Sequence, residues 1–300
     1  MKRVVSISLG SSSRDKKVEA EFLGQKFEIE RVGTDGSVEK AKELLRELDG
    51  QVACFGMGGI DFYVRSGKKK WMLKDAMRLA VVPKITPIVD GGGVKDTLER
   101  KVILDLEPVY GIPVKGRKVL VTSGVARYSH VEAFTEAGAK ILFGDLMFIL
   151  ELPIKIWSLK TLNVIAHIIA PIATQLPISV VYPTGESQKI SKPKFKNVYD
   201  WADIIAGDFH FIHRFLPERL DGKVVLTNTV TDADVAELKA KGVACLITTT
   251  PEMDGRAFAT NVIEALLVAI SGKRPDELTQ KDYYDLIERA KIQPTIRKLN

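Results

Sequence analysis

The sequence predicts a two-lobed α/β fold, in which the C-terminal lobe has a doubly wound parallel sheet and the N-terminal α/β lobe is smaller. Three observations predict it. Short apolar runs alternate with amphipathic helical stretches, glycines follow several of these runs, and 300 residues suffice for about two domains. Residues 107–117 contain two prolines and two glycines, which interrupt both periodicities. We therefore predict one domain over residues 1–113 and a second over residues 114–300.

In the N-terminal lobe, β-branched and apolar runs predict strands, and apolar residues at helical spacing predict helices. The predicted strands cover residues 3–9, 27–32, 52–55 and 87–89, and the predicted helices cover residues 38–48, 74–82 and 96–104.

Two glycine-rich turns of this lobe carry ionisable side chains. Asp61 follows Gly58-Gly59-Ile60, and Asp90 precedes three glycines that lead to Lys95 and Asp96. A lysine beside a carboxylate can relay a proton to a substrate oxygen. Lys95 and Asp96 are therefore candidate catalytic residues, and Asp61 and Asp90 are candidate substrate-binding residues. The alternative is that both turns are solvated loops.

After residue 117, strands and helices alternate regularly, which indicates a parallel sheet with right-handed crossovers. The predicted strands cover residues 118–122, 140–143, 203–206, 223–227 and 244–248, and the predicted helices cover residues 125–137, 209–220 and 231–242.

The turn after the first of these strands is the strongest candidate site. Such a turn in a doubly wound sheet directs backbone N–H groups toward a pyrophosphate, and an acid about 20 residues later binds the ribose. Asp145 lies 21 residues after Gly124, which predicts a Rossmann-type site for NAD or NADP. The carboxylate favours NAD, whereas Arg127 favours NADP. Candidate cofactor contacts at this turn are Ser123, Gly124, Val125, Ala126 and Arg127, with Asp145 for the ribose.

Two features keep other interpretations of this turn open. Only one of the three glycines of G-x-G-x-x-G is present, so an ordinary strand-to-helix turn is the alternative. Later strand ends add Asn228, Thr248 and Thr249 as candidate cofactor contacts, because the carboxyl ends of parallel strands line the ligand crevice. Each of these side chains could instead cap a helix.

Composition excludes several other classes. A net charge of +6 with 7% aromatic residues does not form the basic, aromatic stripe of a nucleic-acid-binding protein. Two distant cysteines and the pair His210 and His213 are too few for a disulfide framework or a metal site. The uncharged residues 161–185 contain Pro171, Pro177, a third proline and several polar groups, which favours buried structure over a membrane span. We expect a cytoplasmic protein with a small-molecule substrate, and a homo-oligomer is compatible with the sequence.

Three segments carry a resemblance to a known family. Residues 4–11 (VVSISLGS), 182–186 (YPTGE) and 249–256 (TTPEMDGR) resemble the divergent proteins grouped as quinate or shikimate 5-dehydrogenase-like. Residues 261–275 are similar to the last helix of shikimate dehydrogenases and its Gly-Lys-x-Pro ending. In that family a glutamine of this helix contacts the substrate, and its equivalent is Val262, beside Asn261. The resemblance thus implies Asn261 as a substrate-binding residue.

The resemblance implies an NAD(P)-dependent oxidoreductase that acts on a small hydroxy or keto acid held between the lobes. The sequence departs from the family because its glycine-rich dinucleotide loop and its Asn-x-Thr-x-Pro-x-Lys segment are missing. Two alternatives stay open: a two-lobed transferase or sugar-nucleotide enzyme, and a nucleotide-binding protein without catalytic activity.

Overall fold

The computed structural model describes residues 1–177, 180, 191–253 and 256–300. The strands described in the first lobe are β1 (Lys2–Ser8), β2 (Lys16–Phe22), β3 (Gln25–Gly33), β4 (Cys54–Gly58), β5 (Tyr63–Ser66), β6 (Lys69–Met72) and β7 (Ile88–Val89). Five of them form a sheet in the order β2-β3-β1-β4-β7, parallel except for the pair β2-β3, and β5-β6 is a separate hairpin.

The second lobe contains a larger sheet. Its described strands, with a short hairpin of two more, are β8 (Lys118–Val121), β9 (Lys140–Phe143), β10 (Ile204–Ala206), β11 (Val224–Thr227), β12 (Cys245–Thr248), β13 (Glu252–Met253), β14 (Arg256–Ala257) and β15 (Thr295–Lys298). The sheet order is β15-β12-β11-β10-β8-β9, and only β12-β15 is antiparallel. The strand order reverses beside β8, so the crevice between β8 and β10 is a topological switch point, where ligands bind in open α/β sheets.

Helices cover both sheets. Those described are α1 (Val38–Glu47), α2 (Lys74–Ala80), α3 (Gly92–Val94), α4 (Arg100–Asp105), α5 (Tyr128–Glu136), α6 (Asp145–Phe148), α7 (Leu159–Ala173), α8 (Lys196–Trp201), α9 (Phe209–Arg214), α10 (Asp232–Ala240), α11 (Thr260–Ser271) and α12 (Gln280–Arg289). Side-chain caps mark several starts: the Ser37 hydroxyl accepts the Lys40 N–H before α1, and Thr231 forms a capping box with Asp234 before α10.

The predicted two-lobed α/β fold with largely parallel sheets is confirmed, but several elements differ from prediction. Strands β2 and β15 and the hairpin β5-β6 were not predicted. The predicted helix over residues 96–104 is interrupted, because Lys95–Glu99 form a π-helical turn between α3 and α4. The predicted helix over residues 125–137 begins only at Tyr128, after a turn over residues 124–127.

Helix α11 joins the two lobes. It lies in the chain between β12 and β15 of the second sheet, yet it packs against β1 and β4 of the first. The Asn261 side-chain amide donates to the Ser6 hydroxyl over 2.6 Å, and a Cβ at Gly56 would lie 2.8 Å from the Asn261 carbonyl oxygen. Because this C-terminal helix completes the core of the first lobe, the division at residue 113 stays a prediction.

Helix α7 is apolar on two faces. Leu162, Ala166 and Ala170 are buried, whereas Ile168 and Ile172 are 65% and 67% exposed. No helix among the described residues is both long enough and apolar enough to cross a membrane. Of the segments that carry the family resemblance, residues 182–186 lie outside the described part of the chain, as do residues 254 and 255.

Candidate functional site between the two lobes

A polar cleft lies where the two sheets face each other. Its first wall contains Ser8 and Gly58, the last residues of β1 and β4. Asp208 and Asn228, which follow β10 and β11, form the second wall, and Asn261 at the start of α11 lies between them. The carboxyl ends of strands from both lobes therefore converge on one space, as in enzymes that hold a substrate between domains.

An ion pair between Lys95 and Asp61 lines this cleft. Lys95 belongs to the π-helical turn after β7, and Asp61 follows the glycines that end β4. Burial raises the pKa of Asp61, and Asp208 and Asp90 add to that rise, although Lys95 opposes it. Burial would lower the pKa of Lys95, but Asp61 and the other carboxylates raise it overall. A proton is therefore held firmly between these two side chains.

Lys95 pairs with Asp61 and not with Asp96, the carboxylate that was considered beside it in the sequence. The Asp96 carboxylate accepts a hydrogen bond from Arg65 over 2.9 Å instead of pairing with Lys95. Successive side chains of a helical turn point in directions about 100° apart. A lysine and the aspartate that follows it therefore rarely contact each other. Asp96 lines a small cavity next to the cleft, together with Lys95 and Asp90, but does not line the cleft itself.

Two further predicted residues, Asp90 and Asn261, lie on the cleft wall. The Asp90 carboxylate is fixed because it accepts the backbone N–H groups of Phe62 and Gly92, at 2.6 and 3.0 Å. Behind it, the Glu264 carboxyl accepts the Tyr283 hydroxyl at 2.8 Å. Burial and the nearby Asp90 raise the pKa of Glu264 to about 7. The structure thus brings Lys95, Asp61, Asp90 and Asn261 to one cavity.

The turn after β8, residues 122–127, is called the elbow below. Four of its backbone N–H groups, those of Thr122, Gly124, Val125 and Arg127, donate to other groups of the chain. The Asp145 carboxylate accepts the N–H of Gly124 at 3.1 Å and the N–H of Val125 at 2.8 Å. Burial raises the pKa of Asp145 to about 6, although these hydrogen bonds oppose the rise. Asp145 therefore lies beside the elbow, as its spacing suggested, but it contacts the amides that a phosphate would need.

Arg127 is buried behind the elbow, with two carboxylates. Its guanidinium pairs with Glu99 and, over 2.5 Å, with Asp208. Glu99 also contacts His130 at 2.9 Å and accepts the Thr249 hydroxyl at 3.1 Å. Burial would raise the pKa of Glu99, but Arg127 and His130 lower it to about 2. The switch-point crevice is thus filled by an internal network of charged side chains.

The elbow does not fit the pyrophosphate of NAD or NADP. A pyrophosphate at a Rossmann elbow needs free backbone N–H donors at the helix N-terminus. Both amides donate to Asp145, and both terminal nitrogens of Arg127 bond to carboxylates. The Ser123 hydroxyl is fully buried and has no hydrogen-bond partner among the described residues. The cradle predicted from Ser123, Gly124, Val125, Ala126 and Arg127 is therefore closed in this structure.

The remaining predicted cofactor residues have separate positions. Asn228 lines the cleft, where its amide donates to Asp208 over 3.2 Å. Thr248 is buried, and its hydroxyl donates to the Thr250 carbonyl oxygen over 3.3 Å. Thr249 is buried against Glu99. The two threonines therefore satisfy internal groups and do not line the cleft.

The sequence analysis missed three basic residues of the cleft, Arg14, Lys16 and Arg31, which come from the β1–β3 region. It considered His210 of α9, which also lines the cleft, only as one of a pair of metal ligands. Burial lowers the pKa of His210 to about 4, so it is neutral at neutral pH. Lys16 and Arg31 sit on the pair β2-β3, whose antiparallel register was the signal that could have placed them. Among the described residues, no group of three or more His, Cys, Asp or Glu side chains is arranged to hold a metal ion.

Residues 93–299 match the family model described as "Domain of unknown function (DUF8754)", and residues 3–90 match the model described as "Domain of unknown function (DUF8753)". The chain belongs to the DUF8754 family. No curated protein matches the sequence.

Solved structures resemble the chain only distantly. A galactofuranose binding protein is 12% identical over 97% of this chain and 99% of its own, with a TM-score of 0.38. L-tryptophan dehydrogenase from Nostoc punctiforme is 10% identical over 96% of this chain and 80% of its own, with a TM-score of 0.37. An NAD-dependent malic enzyme from Thermotoga maritima is 12% identical over 97% and 84%, with a TM-score of 0.34. Dehydrogenases and sugar-binding proteins thus both occur among these neighbours, and the resemblance to quinate or shikimate dehydrogenases stays a hypothesis.

Proposed function

We propose that the DUF8754-family chain binds a small hydroxy or keto acid in the cleft and that the Lys95–Asp61 pair exchanges a proton with an oxygen of that ligand. One observation carries the proposal: a buried lysine–carboxylate pair lines a polar cleft between the lobes. An ammonium group within hydrogen-bond reach can give a proton to a carbonyl oxygen as negative charge develops there. Asp61 keeps that ammonium charged and oriented.

The rest of the cleft supports a ligand with hydroxyl groups and a carboxylate. The Asp90 carboxylate and the Asn261 side chain on its wall offer hydrogen bonds to hydroxyl groups. Arg14, Lys16 and Arg31 also line the cleft, and although Arg14 pairs with Asp234 and Arg31 with Asp15, three cations favour an anionic group nearby. This distribution supports the substrate class expected from the family resemblance.

Whether the chain also binds NAD or NADP is a separate question. NAD or NADP stays the cofactor predicted from the sequence, but the closed elbow does not fit its pyrophosphate. The proposed chemistry is therefore limited to binding and proton transfer. The closed elbow favours a second candidate, a protein that binds the same class of acid without turnover. It argues equally against a sugar-nucleotide enzyme that grips phosphates at this turn.

A binding experiment on the wild-type chain tests the proposal. Thermal-shift screening with quinate, shikimate and small hydroxy and keto acids identifies ligands. Isothermal titration calorimetry then compares wild type with Lys95→Met and Asp61→Asn. We expect Lys95→Met to weaken binding at least about tenfold, which corresponds to about 1.4 kcal/mol. Titration in buffers of different ionisation enthalpy measures the net number of protons that the complex takes up from the solvent or releases to it, and we expect this number to differ between wild type and Lys95→Met.

Lys101→Met is the matched control, because Lys101 pairs with Asp105 on the exposed side of α4. We expect Lys101→Met to bind the ligand as tightly as wild type. If Lys95→Met binds every hit as tightly as wild type, the proposal is wrong. Titration of wild type with NADH and NADPH tests the cofactor separately, since no fluorescence change at millimolar concentration removes the nicotinamide hypothesis and leaves the acid-binding cleft standing.

A further inference from the structure

A second cavity lies beside the elbow, and its walls are almost entirely apolar. One wall is the inner face of α7, with Leu162, Ala166 and Ala170. The facing walls come from Val125 in the elbow and from Leu146 in α6. The two alanines are buried and carry only a methyl group, so they leave room where larger side chains would close the space. This cavity is separate from the polar cleft and shares no lining residue with it.

Of the described residues that line this cavity, Asp145 alone has an ionisable side chain. Each of its carboxylate oxygens accepts one backbone N–H from the elbow. An ionised carboxylate can accept about four hydrogen bonds, so roughly half of its capacity is left. Among the described residues, no side chain donates to it. The other polar side chain on the wall, Thr174, donates to the Ala170 carbonyl oxygen over 2.8 Å.

The surroundings of Asp145 therefore lack a positive charge among the described residues. A carboxylate that is 93% buried beside apolar side chains lacks a counter-charge, and burial is what raises its pKa to about 6. A buried charge without an opposite charge is costly, and a cation within hydrogen-bond distance offsets that cost. Within the described part of the chain, Arg127 supplies such a cation to Glu99 and Asp208, but no cation pairs with Asp145.

We propose that this cavity is a binding site for a small apolar amine, whose ammonium group pairs with Asp145 while its hydrocarbon part packs against α7. An acid of the same size would place a second negative charge beside Asp145, and a polyol would leave hydroxyl groups unpaired against apolar walls. A neutral hydrocarbon would leave the carboxylate without a counter-charge. The inference goes beyond the proposed function and does not depend on it.

Three probes of equal length test the charge requirement: n-hexylammonium, 1-hexanol and hexanoate. Isothermal titration calorimetry with the full-length chain at about pH 7.5 measures their affinities. We expect n-hexylammonium to bind at least about tenfold more tightly than 1-hexanol and hexanoate to bind more weakly still. At about pH 5, roughly a tenth of Asp145 is ionised, so amine binding falls about tenfold while 1-hexanol binding is unchanged.

Two variants locate the site. Asp145→Asn should reduce amine affinity to that of 1-hexanol, and Ala166→Phe should fill the cavity and abolish binding of both. Lys95→Met, in the cleft, should leave all three affinities unchanged, so the two sites succeed or fail independently. Circular dichroism reports whether each variant folds. If Asp145→Asn does not fold, folded Ala166→Phe decides the matter.

Two results would overturn the proposal. The first is equal binding of n-hexylammonium and hexanoate to wild type, which would show that Asp145 does not select the ligand. The second is unchanged amine binding by Ala166→Phe, which would show that the amine binds elsewhere.

Discussion

In both lobes, polar and charged residues follow the carboxyl ends of the parallel strands. The partners of these residues differ between the two lobes. In the first lobe, the glycine turns after β4 and β7 hold Asp61, Asp90 and Lys95 on the wall of the cleft. In the second lobe, the elbow after β8 directs its amides to Asp145, and Arg127 is enclosed by Glu99 and Asp208. Both edges thus place charged groups on the cleft wall, but Arg127 and Asp208 of the second lobe reach it already paired with each other, and Arg127 pairs with Glu99 as well.

The difference shows that a strand, a glycine and an acid at Rossmann spacing do not by themselves make a nucleotide site. A carboxylate near an elbow can bind the ribose of a ligand, or it can accept the elbow amides directly. Both arrangements satisfy the same spacing. In this chain the amides of Gly124 and Val125 donate to Asp145, and Arg127 already pairs with two carboxylates.

The largest expected effect comes from breaking the internal network of the second lobe. Arg127→Met leaves Glu99 and Asp208 buried without their shared cation, and removing one partner of a buried ion pair costs about 3–5 kcal/mol. Urea unfolding measures the loss in the free energy of unfolding. Arg219→Met is the matched control, because Arg219 pairs with Asp221 at the surface, and its unfolding midpoint should not move.

Adding Glu99→Gln to Arg127→Met sharpens this result. The neutral amide removes one of the two uncompensated charges, so the double variant should be more stable than Arg127→Met alone. A double variant that is less stable would show that Glu99 matters mainly for its contacts with His130 and Thr249.

A smaller effect is expected from Asp145, and its sign depends on pH. The pKa of Asp145 is about 6 in the folded chain and about 3.8 when unfolded, so the folded chain binds the proton more strongly. The stability that this group contributes is therefore fully present below about pH 4 and is lost as the pH rises through about 6. Between about pH 4.5 and 7.5, this amounts to about 2 kcal/mol.

Asp145→Asn removes this titration. The difference in the free energy of unfolding between wild type and Asp145→Asn should change by about 2 kcal/mol across that pH range, in favour of wild type at the acidic end. The slope is the test, since the substitution also weakens the elbow hydrogen bonds at every pH. A pH-independent difference would mean that Asp145 has an ordinary pKa and an unidentified counter-charge.

The contrast between lobes also explains how much of the fold the sequence could predict. The prediction for β10 was residues 203–206, within one residue of Ile204–Ala206 in the structure, because a central parallel strand is a buried, continuous apolar run. Strand β2 reads KKVEAEF and was missed, because an edge strand with one exposed face carries charges that resemble a loop. Strand β15 lies at an edge of the second sheet and was missed for the same reason.

The candidate site was predictable as a set of strand ends, but not as a set of partners. Lys95, Asp61 and Asp90 were each noticed beside glycines, and the pairing of Lys95 with Asp61 depends on how the π-helical turn is placed. Asn261 reaches the same cleft only because α11 returns to the first sheet from the far end of the chain. Contacts between such distant segments depend on tertiary packing, which no local pattern specifies.

The smallest expected effect concerns the switch point itself. Gly207 follows β10 with φ of +145°, and a Cβ there would overlap the buried hydroxyl of Thr122 across the crevice. Gly222 also has a positive φ, of +70°, but a Cβ there meets no atom within 4 Å. Gly207→Ala and Gly222→Ala therefore both carry backbone strain, and only the first adds a steric clash.

The clash in Gly207→Ala should lower the free energy of unfolding by about 1–2 kcal/mol more than Gly222→Ala does, as for overpacking of a core. Urea unfolding of both variants measures the difference. Equal losses would show that the crevice between β8 and β10 has room for a side chain, and therefore for a ligand group, which would bring the second lobe closer in character to the first.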